Sequence, residues 1–151
     1  MLSGWDCFPV LPAAGTNRYR SRQLRIFLSL TPIVQRQVAF GPRVPNRGAH
    51  RACAEYLAEE LRRHGADVEM QEALLRAYDG TELRARNIIG VFSPEKKDRI
   101  LLFAHWDSRP YADRDSNPDR RNMPIDGADD GASGVGVLLE IARQIGQHAP
   151  R

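Results

Sequence analysis

A mixed α/β fold, with a sheet packed against helices, is what this sequence predicts, and three observations predict it. Two amphipathic helical stretches lie near residues 50–65 and 132–146. Between them come short segments with β-like alternation. One segment, residues 99–104 (RILLFA), is continuously apolar, the pattern of a strand covered on both faces by helices. The order helix, strands, apolar strand, loop, helix is that of an α/β sandwich.

The elements follow in chain order. Residues 37–50 (QVAFGPRVPNRGAH) hold Gly41, Pro42, Pro45 and Gly48, a loop of turn residues. In HRACAEYLAEELRRHG, Cys53, Tyr56, Leu57, Leu61 and His64 fall on one helical face, and Gly65 is placed to end the helix. Ala66, Val68 and Met70 then alternate with Asp67, Glu69 and Gln71, as in a half-buried strand. Residues 78–81 (YDGT) are a turn signal, so 68–77 and 83–89 predict a hairpin. A second apolar run, NIIGVF at 87–92, is broken by the charged SPEKKD before RILLFA begins. A long polar loop covers 105–126. The closing helix presents Val135, Leu138, Ala142 and Ile145 as its buried stripe.

Length and charge narrow the function classes. The 151 residues fit one domain, and no apolar run approaches the roughly 20 residues that span a bilayer, so no membrane span is expected. The net charge of +3 is unevenly spread. Residues 1–54 carry eight arginines against one aspartate, a net of +7, whereas 55–151 carry 14 basic and 18 acidic residues, a net of −4. The part that reads as folded is mildly acidic and gives no support to nucleic-acid binding. Cys7 and Cys53 are too few and too far apart to fix a disulfide or a compartment. The basic segment 1–34 admits three readings: a transit-peptide-like leader, a poor signal peptide with a short apolar core at 26–30, or a spurious upstream start. It carries no functional inference, and localisation stays open.

Two stretches carry chemistry. His105, Trp106 and Asp107 leave the end of the apolar strand, and strand ends are where sites gather in α/β sheets. A histidine held there is a natural metal ligand, with Asp107 able to bond its other ring nitrogen; a histidine merely satisfied by a nearby carboxylate is the plain alternative. The stretch DGADDGASG places Asp126, Asp129 and Asp130 in a glycine-rich turn at a helix start. Capping explains one aspartate but not three, and the helix dipole favours an ionised carboxylate there. Three acids would repel a phosphate, and the glycine spacing is not that of a dinucleotide loop, so a cation is the better occupant.

Together, FAHWDSRPYAD and PIDGADDGASGVGVLLEIARQI resemble the zinc peptidase family M28, and within it the bacterial glutaminyl cyclase type. QVAFGPRVPN, AHRACAEYLAEELRRHGADV and AYDGTELRARNIIG resemble the same branch, so the likeness covers about residues 35–147. It implies a domain from 35 to 151 with a three-layer, phosphorylase/hydrolase-like sandwich around a mixed central sheet, here truncated. It implies Zn2+ as cofactor and peptide or protein N-termini as substrates. Asp130, the fourth residue of the GA-x-D motif, would bind the metal; His105 would bind a second metal in two-zinc aminopeptidases only; Asp107 would orient the ring. The peptide after Asp130 would be cis, and relatives are usually exported.

The resemblance also exposes a gap. A catalytic zinc takes three protein ligands and an open position. The family's acidic general base, glutamate ligand and late histidine come after the closing helix, so no catalytic base is expected within this chain. His50, His64 and His148 have no ligand spacing with which to stand in. The expectation is the front half of a glutaminyl-peptide cyclotransferase, inactive by itself, with an M28 aminopeptidase or a non-catalytic remnant of the fold as alternatives.

Overall fold

The computed structural model describes residues 30–148. The leader, signal and spurious-start readings concern residues 1–34, of which 1–29 lie outside the described part. Helix α1 runs over 30–38, and α2 over Gly48–Arg63. Strands β1 (Asp67–Arg76) and β2 (Glu82–Val91) form an antiparallel pair, and α3 (Ser133–Gln147) closes the chain. The described residues therefore mix helix and sheet, as the sequence predicts. No described helix is long and apolar enough to cross a membrane.

Helix α2 buries His50, Cys53, Ala54, Leu57 and Ala58, which recur three to four residues apart and so share one stripe. Arg62 and Arg63 sit in its last turn, where cations suit the exposed carbonyls. Gly65, at φ +87°, ends it: the Ala66 N–H donates to Leu61 O (3.1 Å) and the Gly65 N–H to Arg62 O (2.9 Å). This is the Schellman arrangement, which needs a left-handed residue after the helix.

The hairpin is in register from Asp67 opposite Val91 to Arg76 opposite Glu82. Its turn is held by the Ala77 N–H on Thr81 O (2.9 Å) and the Thr81 N–H on the Asp79 carboxylate (2.9 Å), with Gly80 at φ +86°. The second apolar run is not a separate element, because Asn87–Val91 continue the ladder of β2. A Cβ on Gly90 would stand 3.1 Å from Leu61, so α2 lies directly on β2.

The predicted buried strand at 99–104 does not form. Those residues are neither strand nor helix, and Ile100 and Phe103 are 89% and 85% exposed. The reason is physical. An inner strand is made by ladders on both sides and apolar layers on both faces, and the only sheet among the described residues is the β1–β2 pair. Residues 100–104 instead form one wall of an apolar groove of about 390 Å³, shared with Leu61, Ile88, Leu138 and Ile145.

Helix α3 buries Val135, Gly136, Leu139, Glu140 and Ala142. Leu138 and Ile145, predicted for the stripe, are half-buried on the groove side instead. The core joins Cys53, Ala54 and Leu57 of α2 to Val135 and Leu139 of α3 through Trp106. Cys53 is fully buried, which pushes its thiol up to about 11 and leaves it protonated and inert at neutral pH.

Candidate functional site

The site forms where the 105–108 segment meets the start of α3. Trp106 anchors the first piece. Its ring stacks on His50 at 4.1 Å, and its indole N–H donates to Arg86 O on β2 (3.1 Å). With Trp106 turned inward, His105 on one side is half-exposed and Asp107 on the other partly so, as alternation along an extended backbone requires.

The second piece is a kink over Ala128–Ala132. Gly127 is left-handed (φ +60°, ψ +40°), Asp129 and Asp130 are extended, and Gly131 takes φ +102°, ψ −74°, before α3 starts. The Ala132 N–H closes the kink on Gly127 O (3.0 Å). Asp130 is thereby turned outward, 88% exposed, toward His105. Asp129 instead accepts from the Ser133 hydroxyl (3.2 Å), and Asp126 contributes its backbone carbonyl to the interior. Among the described residues no peptide bond is cis. The cis bond after Asp130 that the resemblance implies is thus not found; the turn there runs through Gly131, at φ +102°, with a trans peptide.

Nε2 of His105 lies 2.8 Å from Asp130 Oδ1. Nδ1 lies 3.2 Å from Asp107 O and 3.4 Å from its carboxylate. The three residues singled out in the sequence therefore meet, across 25 residues of chain. The hydrogen bond to Asp130 is the main reason the His105 ring is raised above its ordinary 6.5, with burial, the next largest effect, opposing it. The same bond lowers Asp130 below 3.8.

His105 contributes stability that is full below 6.5 and lost as pH rises through its raised folded value. Asp130 contributes stability present above 3.8 and lost as pH falls through its lowered value. The metal-free pair is expected to stabilise the chain fully between 3.8 and 6.5 and to fade on either side. Urea midpoints of the parent and Asp130→Asn across pH 3–9 measure this; a difference that does not vary with pH would refute it.

Zinc places a geometric demand on the donor set. Ligand bonds of about 2.0–2.1 Å in a tetrahedral site put neighbouring donor atoms about 3.3 Å apart. His105 and Asp130 are at hydrogen-bond distance instead, and no group of three or more His, Cys, Asp or Glu among the described residues is placed to hold a metal ion. The residues present do not make a zinc site by themselves. His50 is buried and stacked on Trp106, and His64 lies beside Glu60 (4.0 Å); neither completes a metal-holding group.

Two residues that the sequence did not single out hold this geometry. Arg43 is fully buried, and Gln37 donates to the carbonyl oxygen of Ala132 (3.0 Å), the last residue of the kink. The one signal available was an arginine between two turn prolines in a stretch of chain free of acids, so without a carboxylate nearby to pair with it.

Comparison with known proteins fits this frame. The model of peptidase family M28 matches residues 87–151. A Zn-dependent exopeptidase from Parabacteroides distasonis is 67% identical, with a TM-score of 0.79, over 81% of this chain and 42% of its own. The Tannerella forsythia glutaminyl cyclase is 65% identical, with a TM-score of 0.79 and the same coverage. The uncharacterized Escherichia coli protein YfbL is 36% identical over 98 residues, 65% of this chain and 27% of its own. In class, the chain is thus similar over most of its length to a Zn-dependent exopeptidase, and the M28 likeness covers its residues 87–151. More particularly, it is similar to the glutaminyl cyclases of Tannerella forsythia and Porphyromonas gingivalis. It spans less than half the length of each of these relatives.

Proposed function

We propose that this chain supplies the strand-end and kinked-helix part of a zinc-dependent glutaminyl-peptide cyclotransferase, which forms N-terminal pyroglutamate and releases ammonia. The observation that carries the reading is the meeting of His105, Asp107 and Asp130 at the kink, within a frame 65% identical to a glutaminyl cyclase. In the reaction, the α-amine of an N-terminal glutamine attacks its own γ-carbonyl, a C–N bond forms, and the γ-nitrogen leaves as ammonia with a proton from the amine. The gain over solution is orientation, since nucleophile and electrophile belong to one residue held in a ring-closing geometry. Asp130 is assigned to the metal, His105 to a second metal only in a two-zinc site, and Asp107 to orienting His105. In the assembled three-layer sandwich, residues 99–104 take an inner strand of the mixed sheet.

The incomplete donor set limits the 151 residues as they stand. Dialysed against buffer after zinc loading, they are expected to retain well under one zinc per chain; one tightly held zinc would show that the donor set is complete. The exopeptidase likeness supports an aminopeptidase as second reading. Gln-β-naphthylamide and Leu-p-nitroanilide, assayed side by side on a protein of the relatives' full length, separate the two. Ammonia release from the glutamine substrate is expected, and turnover of the leucine substrate alone would replace the cyclase reading.

A further inference from the structure

We infer that Arg43 is a positioning residue that sets the separation of His105 and Asp130 by clamping the backbone of both segments that carry them. The guanidinium is fully buried and makes no salt bridge among the described residues, the Asp107 and Asp126 carboxylates acting on it only at longer range. Its partners are four carbonyls. Nε donates to Trp106 O (2.9 Å), Nη1 to Asp126 O (2.8 Å) and Gln37 O (3.4 Å), and Nη2 to Gly127 O (2.7 Å). Trp106 is the residue after His105, whereas Asp126 and Gly127 precede Asp130 by four and three residues. One rigid plane of donors thus bridges the two halves of the site.

Three further contacts make this a built clamp. The Arg43 carbonyl accepts the Ser108 N–H (3.2 Å), so the same residue grips the 105–108 segment at two points. A Cβ on Gly127 would stand 2.8 Å from Nη2, so the kink approaches the guanidinium as closely as a glycine allows. Gln37 fastens the far side of the kink through Ala132 O, which leaves the Asp130 region held from both ends.

The energetics point the same way. A buried cation whose anions stand beyond salt-bridge distance is costly, and it persists only if its donors are met by well-placed acceptors. Neutral carbonyls in a loop are satisfied more cheaply by water. What guanidinium adds, and water or an ammonium does not, is several donors in a fixed planar fork. The clamp holds whatever reaction the site performs, so it does not rest on the cyclase reading.

The test uses the full chain with 15N-labelled histidine, and the ring-nitrogen signals of His105 assigned with His105→Gln. Arg43→Met and Arg43→Lys are compared with the parent at one pH near neutrality. In Arg43→Met the His105 signals are expected to move toward those of His148, while His148 and His64 stay in place. Arg43→Lys, which keeps the charge but not the fork, is expected to shift His105 in the same direction. Guanidinium ion added to Arg43→Gly is expected to restore the parent position. A stability loss with unmoved His105 signals would overturn the inference and leave Arg43 a packing residue. If Arg43→Met fails to fold, Arg43→Lys decides by itself: unmoved signals overturn the inference, and shifted signals support it.

Discussion

Gly131→Ala is expected to destabilise the chain by about 2–3 kcal/mol and to separate Asp130 from His105. At φ +102° and ψ −74° the backbone is where an L side chain is strained whatever space surrounds it. Space is also short, since the added Cβ would stand 3.3 Å from Asp107 O and 3.3 Å from the His105 ring. The chain relieves this only by unwinding the kink, and that moves Asp130. Urea unfolding gives the stability change. Gly48→Ala is the control: it lies in the first turn of α2 with nothing within 4 Å of a Cβ, and should be neutral or slightly stabilising. A Gly131→Ala midpoint within error of that control would refute the steric account.

Gly146→Ala sets two effects against each other, and magnitudes choose between them. Helix propensity favours alanine by up to about 1 kcal/mol. Packing opposes it, because the Cβ would lie 2.1 Å from His64 O, well inside contact distance. That oxygen is backbone, next to the left-handed Gly65 that ends α2, and cannot swing aside as a side-chain tip would. Overpacking of this kind costs about 1–3 kcal/mol, and so hard a contact falls at the upper end. A net loss near ~2 kcal/mol is expected, read as a lower thermal midpoint. A rise in the midpoint would mean that the two helix ends part easily.

Much of this fold is legible in the sequence because its signals are local. Periodicity finds α2 and α3, alternation around YDGT finds the hairpin, and Gly65 marks the helix end it forms. The meeting of His105 and Asp130 was legible as motif rather than as geometry, since nothing local brings residues 25 apart into contact. Two things were not legible. Residues 99–104 read as a buried strand because burial was inferred from composition, whereas a strand is made by its neighbours. Arg43 read as loop because its partners are carbonyls, and a carbonyl leaves no mark in a sequence. A buried carboxylate partner would have shown as a charge to be balanced.

The unpaired stretch at 100–103 also has a colloidal meaning. Four consecutive large apolar side chains, without a charge or proline among them and with no backbone hydrogen bond to any other described residue, are as good a template for another copy as for a native neighbour. Net charge governs how molecules repel at a distance, but a short tape of this kind governs what happens once they touch. The solubility ceiling of the chain is therefore expected to be set by Ile100, Leu101, Leu102 and Phe103 more than by its +3 charge, and excluded salts such as sulfate are expected to lower it faster than chloride does.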